Sequence, residues 1–150
     1  MPVSVIVAIS AAAVLLALLF VELFIELPER RRRKRALEKL RAENPEMSDD
    51  DFAIRLDPGN DAAKQRAILI RNQIAESFQA PREVINPDTK LESISATARD
   101  GGDSLGFILD LEVKFGIPIP DEKLKGIDTV RQLVQLINLL IEEQPTPVRK

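Results

Sequence analysis

Asp103-Ser104-Leu105 stands in a chain of 150 residues that contains neither His nor Cys. That absence removes His- or Cys-based nucleophilic catalysis, thiol redox chemistry, disulfides and the usual zinc sites. What is left for covalent or acid–base work is Ser, Lys and carboxylates. Asp103 is placed to cap a helix, which puts the Ser104 hydroxyl at an exposed helix N-terminus. There it either satisfies backbone amides or offers an oxygen to another enzyme. The carboxylate pairs Asp100/Asp103 and Asp121/Glu122 could in principle share a proton, but both read better as an acidic face or as helix-start caps. An enzyme in its own right is not expected. Asp49, Asp50 and Asp51 lack the spacing and Gly of a calcium loop, so no metal site is expected.

These residues sit in a chain whose overall formal charge of −3 hides three zones. Residues 3–21 carry no charge and two hydroxyls, Ser4 and Ser10. As a helix at ~1.5 Å per residue they span roughly 28 Å, close to a bilayer's hydrocarbon thickness. No Lys or Arg precedes them and a basic run follows, which argues against a cleaved signal peptide. A transmembrane anchor over residues 1–27 is expected. The six cations from Arg30 to Arg35 would then hold the rest of the chain in the cytoplasm, against anionic headgroups. Glu22 and Glu26 fit the interface beside those arginines. Nucleic-acid binding is not expected, since no base-stacking aromatics lie near the run.

Taking that run and Glu22, Glu26 and Glu29 from totals of 21 Lys and Arg and 24 Asp and Glu leaves 15 cations against 21 carboxylates. Residues 36–150 therefore carry a formal −6. Residues 36–46 read as a helix decaying into a linker at Asn44-Pro45. Ser48 and the three aspartates start a short helix with Phe52 and Leu56 on one edge. Pro58-Gly59-Asn60 is a turn. Asp61 opens a helix to about Gln79, with Ala67, Ile70, Ile74 and Phe78 on one face. Residues 80–102 are loop-like, with Val84, Leu91 and Ile94 as anchors into the core. Helical character returns at 103–115, carrying Leu105, Ile108, Leu109, Leu111 and Phe115, and Gly116 with Ile117-Pro118-Ile119-Pro120 ends it. Asp128-Thr129 caps a last helix. The fold class is all-α: a bundle of three main helices plus short ones, with one N-terminal transmembrane helix. Residues 28–60 form the basic juxtamembrane segment, linker and short helix, 61–143 the helical domain, and 144–150 a flexible tail.

The order of elements resembles the acyl carrier protein family. The match is most specific over residues 115–137, FGIPIPDEKLKGIDTVRQLVQLI, and extends to the first helix and the PREVINPDTKLESI segment, covering about 62–140. The resemblance implies an acyl-carrier-like bundle whose Asp-Ser-Leu serine, here Ser104, accepts 4′-phosphopantetheine. The thiol of that arm would carry acyl groups as thioesters, so the protein itself needs no Cys. A second register stays open. Counting back from Phe115 without gaps puts Gly101 at the modified position and Asp100 at its acidic neighbour, leaving no attachment site.

Two functions follow as expectations. In the first, a membrane-anchored carrier presents a phosphopantetheine-bound acyl group to enzymes of acyl transfer or lipid synthesis, after loading by a phosphopantetheinyl transferase. Asp100, Asp103, Asp110 and Glu112 would dock cationic partners. In the second, an unmodified interaction module recruits a partner to the membrane. The last helix adds one more expectation. Seven of the nine residues from Leu133 to Ile141 are apolar, so its second face needs a cover: the 48–56 helix or, in a homodimer, a second copy.

Overall fold

A computed structural model describes residues 27–56, 59–99 and 104–144, together with Val14 and Phe20. The elements are α1 (Leu27–Glu43), α2 (Asp49–Leu56), α3 (Asp61–Phe78), a 3-10 turn at Arg82–Val84, α4 (Leu91–Ser95), α5 (Ser104–Phe115), α6 (Asp121–Leu124) and α7 (Val130–Glu143). Among the described residues these are all helical, and one isolated antiparallel bridge joins Lys90 to Thr129. The all-α part of the expected class describes this architecture.

The membrane-spanning part is corrected. Among the described residues no helix is long and apolar enough to cross a membrane, so the transmembrane helix and single-pass membrane localisation are not retained. Residues 3–21, apart from Val14 and Phe20, lie outside the described residues, as do Glu22, Glu26 and the tail from 145. The basic run expected to flank the span lies on the first described helix. α1 is 17 residues long, about 25 Å, but it carries Arg30–Arg35 and packs on protein. Leu40 is 1% exposed in the common core. Arg33 Nε donates to the Thr97 carbonyl at 3.0 Å, and its Nη2 donates to the Gln79 carbonyl at 3.4 Å.

The segment read as a linker is strapped down. The Met47 amide donates to the Glu83 carbonyl at 2.8 Å, Thr89 Oγ1 donates to Asn44 Oδ1 at 2.7 Å, and Asn86 Nδ2 donates to the Pro45 carbonyl at 3.0 Å. α2 starts as its sequence dictates, with the Asp51 amide donating to Ser48 Oγ. α3 is capped by Asn60, one residue earlier than expected, whose side chain accepts from the Ala63 amide. α7 carries a full capping box in which Thr129 and Gln132 satisfy each other's backbone amides.

α3 is the central helix and packs against α2, α5 and α7. Arg71 projects from it into a closed knot. It donates to the Ile85 carbonyl (3.0 Å), Asp49 Oδ1 (2.8 Å), the Met47 carbonyl (2.8 Å) and the Glu83 carbonyl (3.4 Å). Its guanidinium carbon also lies 4.7 Å from the centre of the Phe52 ring. Burial lowers the Arg71 pKa from its ordinary value, and the hydrogen bond to Asp49 opposes that shift. A buried guanidinium tolerates this because each edge of its fork has an acceptor.

Phe52 and Leu56 of α2 and the buried residues of α7 belong to one core. Arg131 of α7 donates to the Arg55 carbonyl (2.8 Å) and pairs with Asp88 (2.8 Å). Of the apolar run, Leu139 is left 49% exposed.

Candidate functional site

The α5 helix presents Ser104 as its first described residue, and that residue is exposed. Asp100, Gly101, Gly102 and Asp103 lie outside the described residues, so Asp100, Asp103 and the alternative attachment position Gly101 are given no structural placement.

Two faces of α5 differ sharply. Phe107 and Leu111, four residues apart, are buried against α3, and the Phe107 and Phe78 rings meet at 5.1 Å between centroids. Leu105, Leu109 and Val113, also spaced by four, point outward at 68%, 50% and 84% exposure. The sequence places Leu105 and Leu109 among the apolar residues of this helix without assigning their face. The structure anchors the helix through Phe107 and Leu111 and leaves an apolar stripe uncovered.

Beside Ser104 lies an apolar cleft of about 340 Å³. Phe78 of α3, Leu91 of α4, Phe107 and Ile108 of α5, Leu124 of α6, Ile127 and Leu133 line it; Glu92, Ser95 and Ser104 supply its polar part. The cleft exists because three short or late elements only partly close the gap over α3 and α7. α4 and α6 are five and four residues long, and each offers one or two apolar side chains. Ile117 and Ile119 hold the stretch before α6 in the core, while Pro118 and Pro120 face outward. Gly116 lets the chain leave α5 with φ of +64°, a conformation that favours glycine.

The expected docking carboxylates separate. Asp110 is exposed, with Gln73 Nε2 at 3.5 Å. Glu112 is instead tied into the fold: its carboxylate accepts from the Ile119 amide at 2.6 Å and its carbonyl from the Ile117 amide at 3.2 Å. It positions the Ile117–Pro120 stretch and is itself only partly exposed.

Sequence reasoning missed Thr97. It is fully buried, its Oγ1 sharing one proton between the Ile94 and Phe78 carbonyls at 2.7 and 3.1 Å while its own carbonyl accepts a hydrogen bond from Arg33 Nε. Thr97 thus joins α1, α3 and α4 seven residues ahead of Ser104. No local pattern announces such a joint, because its partners are spread across the chain. Among the described residues no group of His, Cys, Asp or Glu is arranged to hold a metal ion. No family model matches the chain, and no solved structure matches it.

Proposed function

We propose that the chain is an acyl-carrier-like protein in which Ser104 bears a 4′-phosphopantetheine arm and the neighbouring cleft shelters its acyl cargo. The single observation that supports this reading is the pairing of an exposed hydroxyl with an apolar cleft of about 340 Å³ at one helix end. The residues present suit the group. The Ser104 hydroxyl is open to a transferase, and Phe107, Ile108, Leu124, Ile127 and Leu133 give an alkyl chain a place out of water, at about 0.8 kcal/mol per buried methylene. The arm, when attached, supplies a thiol that holds cargo as a thioester. The protein's residues hold the attachment oxygen at a helix start, exclude water from the cargo and present Leu105, Leu109, Val113 and Asp110 to partner enzymes of acyl transfer or lipid synthesis.

A second reading keeps the fold without the arm: an interaction module that uses the same exposed stripe. The uncovered Leu105, Leu109 and Val113 favour it, since a stripe of this kind needs a partner whether or not Ser104 is modified. Co-expression of the full chain with a phosphopantetheinyl transferase, followed by intact mass, separates the two. A gain of the phosphopantetheine mass that vanishes in Ser104→Ala supports the carrier. No gain beside a control carrier that is loaded leaves the interaction module.

A further inference from the structure

α4 stands between two clefts. Glu92 and Ser95 line the apolar cleft of Ser104 and also a smaller one of about 210 Å³, on the side facing α1. The smaller cleft is walled by Glu29, Arg32 and Arg33 of α1 and by Ala96, Ala98 and Arg99 of the turn after α4. A run of cations on a helix is ordinarily a solvated face. Here Arg99 comes from a different part of the chain and meets the run across a concave surface.

The three arginines have different tasks. Arg33 is committed to the Thr97 and Gln79 carbonyls and sets the separation of the walls. Arg32 and Arg99 are exposed, and among the described residues neither makes a salt bridge or a side-chain hydrogen bond. Two guanidinium forks with free donors therefore line one small cleft.

We propose that this cleft binds a phosphate group, of the phosphomonoester or pyrophosphate class. Guanidinium forks match phosphate oxygens two at a time, and several forks converging suit a compact multiply charged oxyanion. The volume of about 210 Å³ equals the space of roughly seven waters at ~30 Å³ each, enough for a phosphate group and its linkage. Glu29 and Glu92 select further. With three arginines and two glutamates the lining is formally +1, so a singly charged carboxylate gains little. A dianionic phosphate gains from the cleft and from the flanking Arg30, Arg31, Lys34 and Arg35. The inference does not rest on Ser104 being modified.

The test titrates the unmodified full chain with sodium pyrophosphate by calorimetry, at low salt and at about 0.15 M. One saturable site is expected, weaker at the higher salt. Arg32→Ala/Arg99→Ala should lower affinity at least about tenfold, the loss of charge-assisted hydrogen bonds, with an unchanged melting temperature because neither side chain has a partner. Arg31→Ala/Arg35→Ala removes the same charge outside the cleft and should cost less than about twofold. Vesicles of phosphatidylcholine with phosphatidic acid tell the source of the phosphate. Loss of both free and vesicle binding in the cleft variant means that headgroups also enter, and loss of pyrophosphate binding alone means a soluble ligand. Equal losses in the two double variants, or no saturable pyrophosphate binding by the wild type, overturn the proposal.

Discussion

The two sides of α3 solve opposite problems. Towards α2, the protein encloses a charge: every edge of the Arg71 fork has an acceptor, and Phe52 covers its face. Towards α4 and α5, it leaves apolar surface open, a serine at the helix start and two arginines with free donors. Both sides are built from short elements on the same central helix, so element length alone does not decide between them. The closed side is completed by segments 44–48 and 82–86, whose carbonyls turn inward. Its exception among the described residues is Asn86 Oδ1, buried without a partner. Among the described residues no segment plays that part on the open side. On the proposals made above the open side takes ligand and partner, while the closed side carries the buried polar network that ties α2 to α3.

Breaking the closed side should have the largest effect. Arg71→Ala leaves the Met47 and Ile85 carbonyls without their donor, while Asp49 keeps Arg82 at 3.1 Å and the Glu83 carbonyl keeps the Met47 amide. It should cost about 3–5 kcal/mol, read as a lower urea midpoint at unchanged slope. A loss below about 1 kcal/mol would mean the knot is ornamental. Thr97→Val tests the joint between the two sides. It removes one buried hydroxyl from two carbonyls and should cost about 1–3 kcal/mol. Gln79 sits at the C-terminal cap of α3 with φ of +52°, so Gln79→Gly should raise stability by up to about 1 kcal/mol.

On the open side the expectation reverses. Leu105→Ser and Val113→Ser should each change stability by less than about 0.5 kcal/mol, while weakening capture of a partner enzyme.

The smallest effect is titration of an exposed pair. The hydrogen bond from Arg131 holds the Asp88 carboxyl below its ordinary value. The pair therefore stabilises the fold above the unfolded carboxylate pKa of about 3.9 and loses that contribution as pH falls through the lower folded value. Asp88→Asn should flatten the acid limb of a melting-temperature profile slightly, and an unaltered limb would show that solvent screens the pair completely.

Legibility in the sequence followed the range of the interactions. Ser48 and Thr129 could be read as caps because their partners lie three residues away, and Val84 and Ile94 as anchors because they are apolar in a polar stretch. Arg71 was readable in principle. It falls between Ala67, Ile74 and Phe78 at helical spacing, a cation inside an apolar stripe, which signals a buried partner. The outward turn of Leu105 and Leu109 was not readable, since Phe107 and Leu111 offer an equally apolar face and only α3 decides between them. Nor was the docking of α1, whose Arg33 meets Thr97 across 64 residues of chain. Charge density alone pointed that helix towards a membrane surface.

The most direct test of the account concerns one oxygen atom. Cleavage after Arg99 and Lys114 releases residues 100–114, DGGDSLGFILDLEVK, in which Ser104 carries the only hydroxyl side chain. After co-expression of the full chain with a phosphopantetheinyl transferase, fragmentation of this peptide should place the phosphopantetheine mass on Ser104. An unmodified peptide, in a preparation where a control carrier is fully loaded, would contradict the assignment of Ser104 as the attachment site.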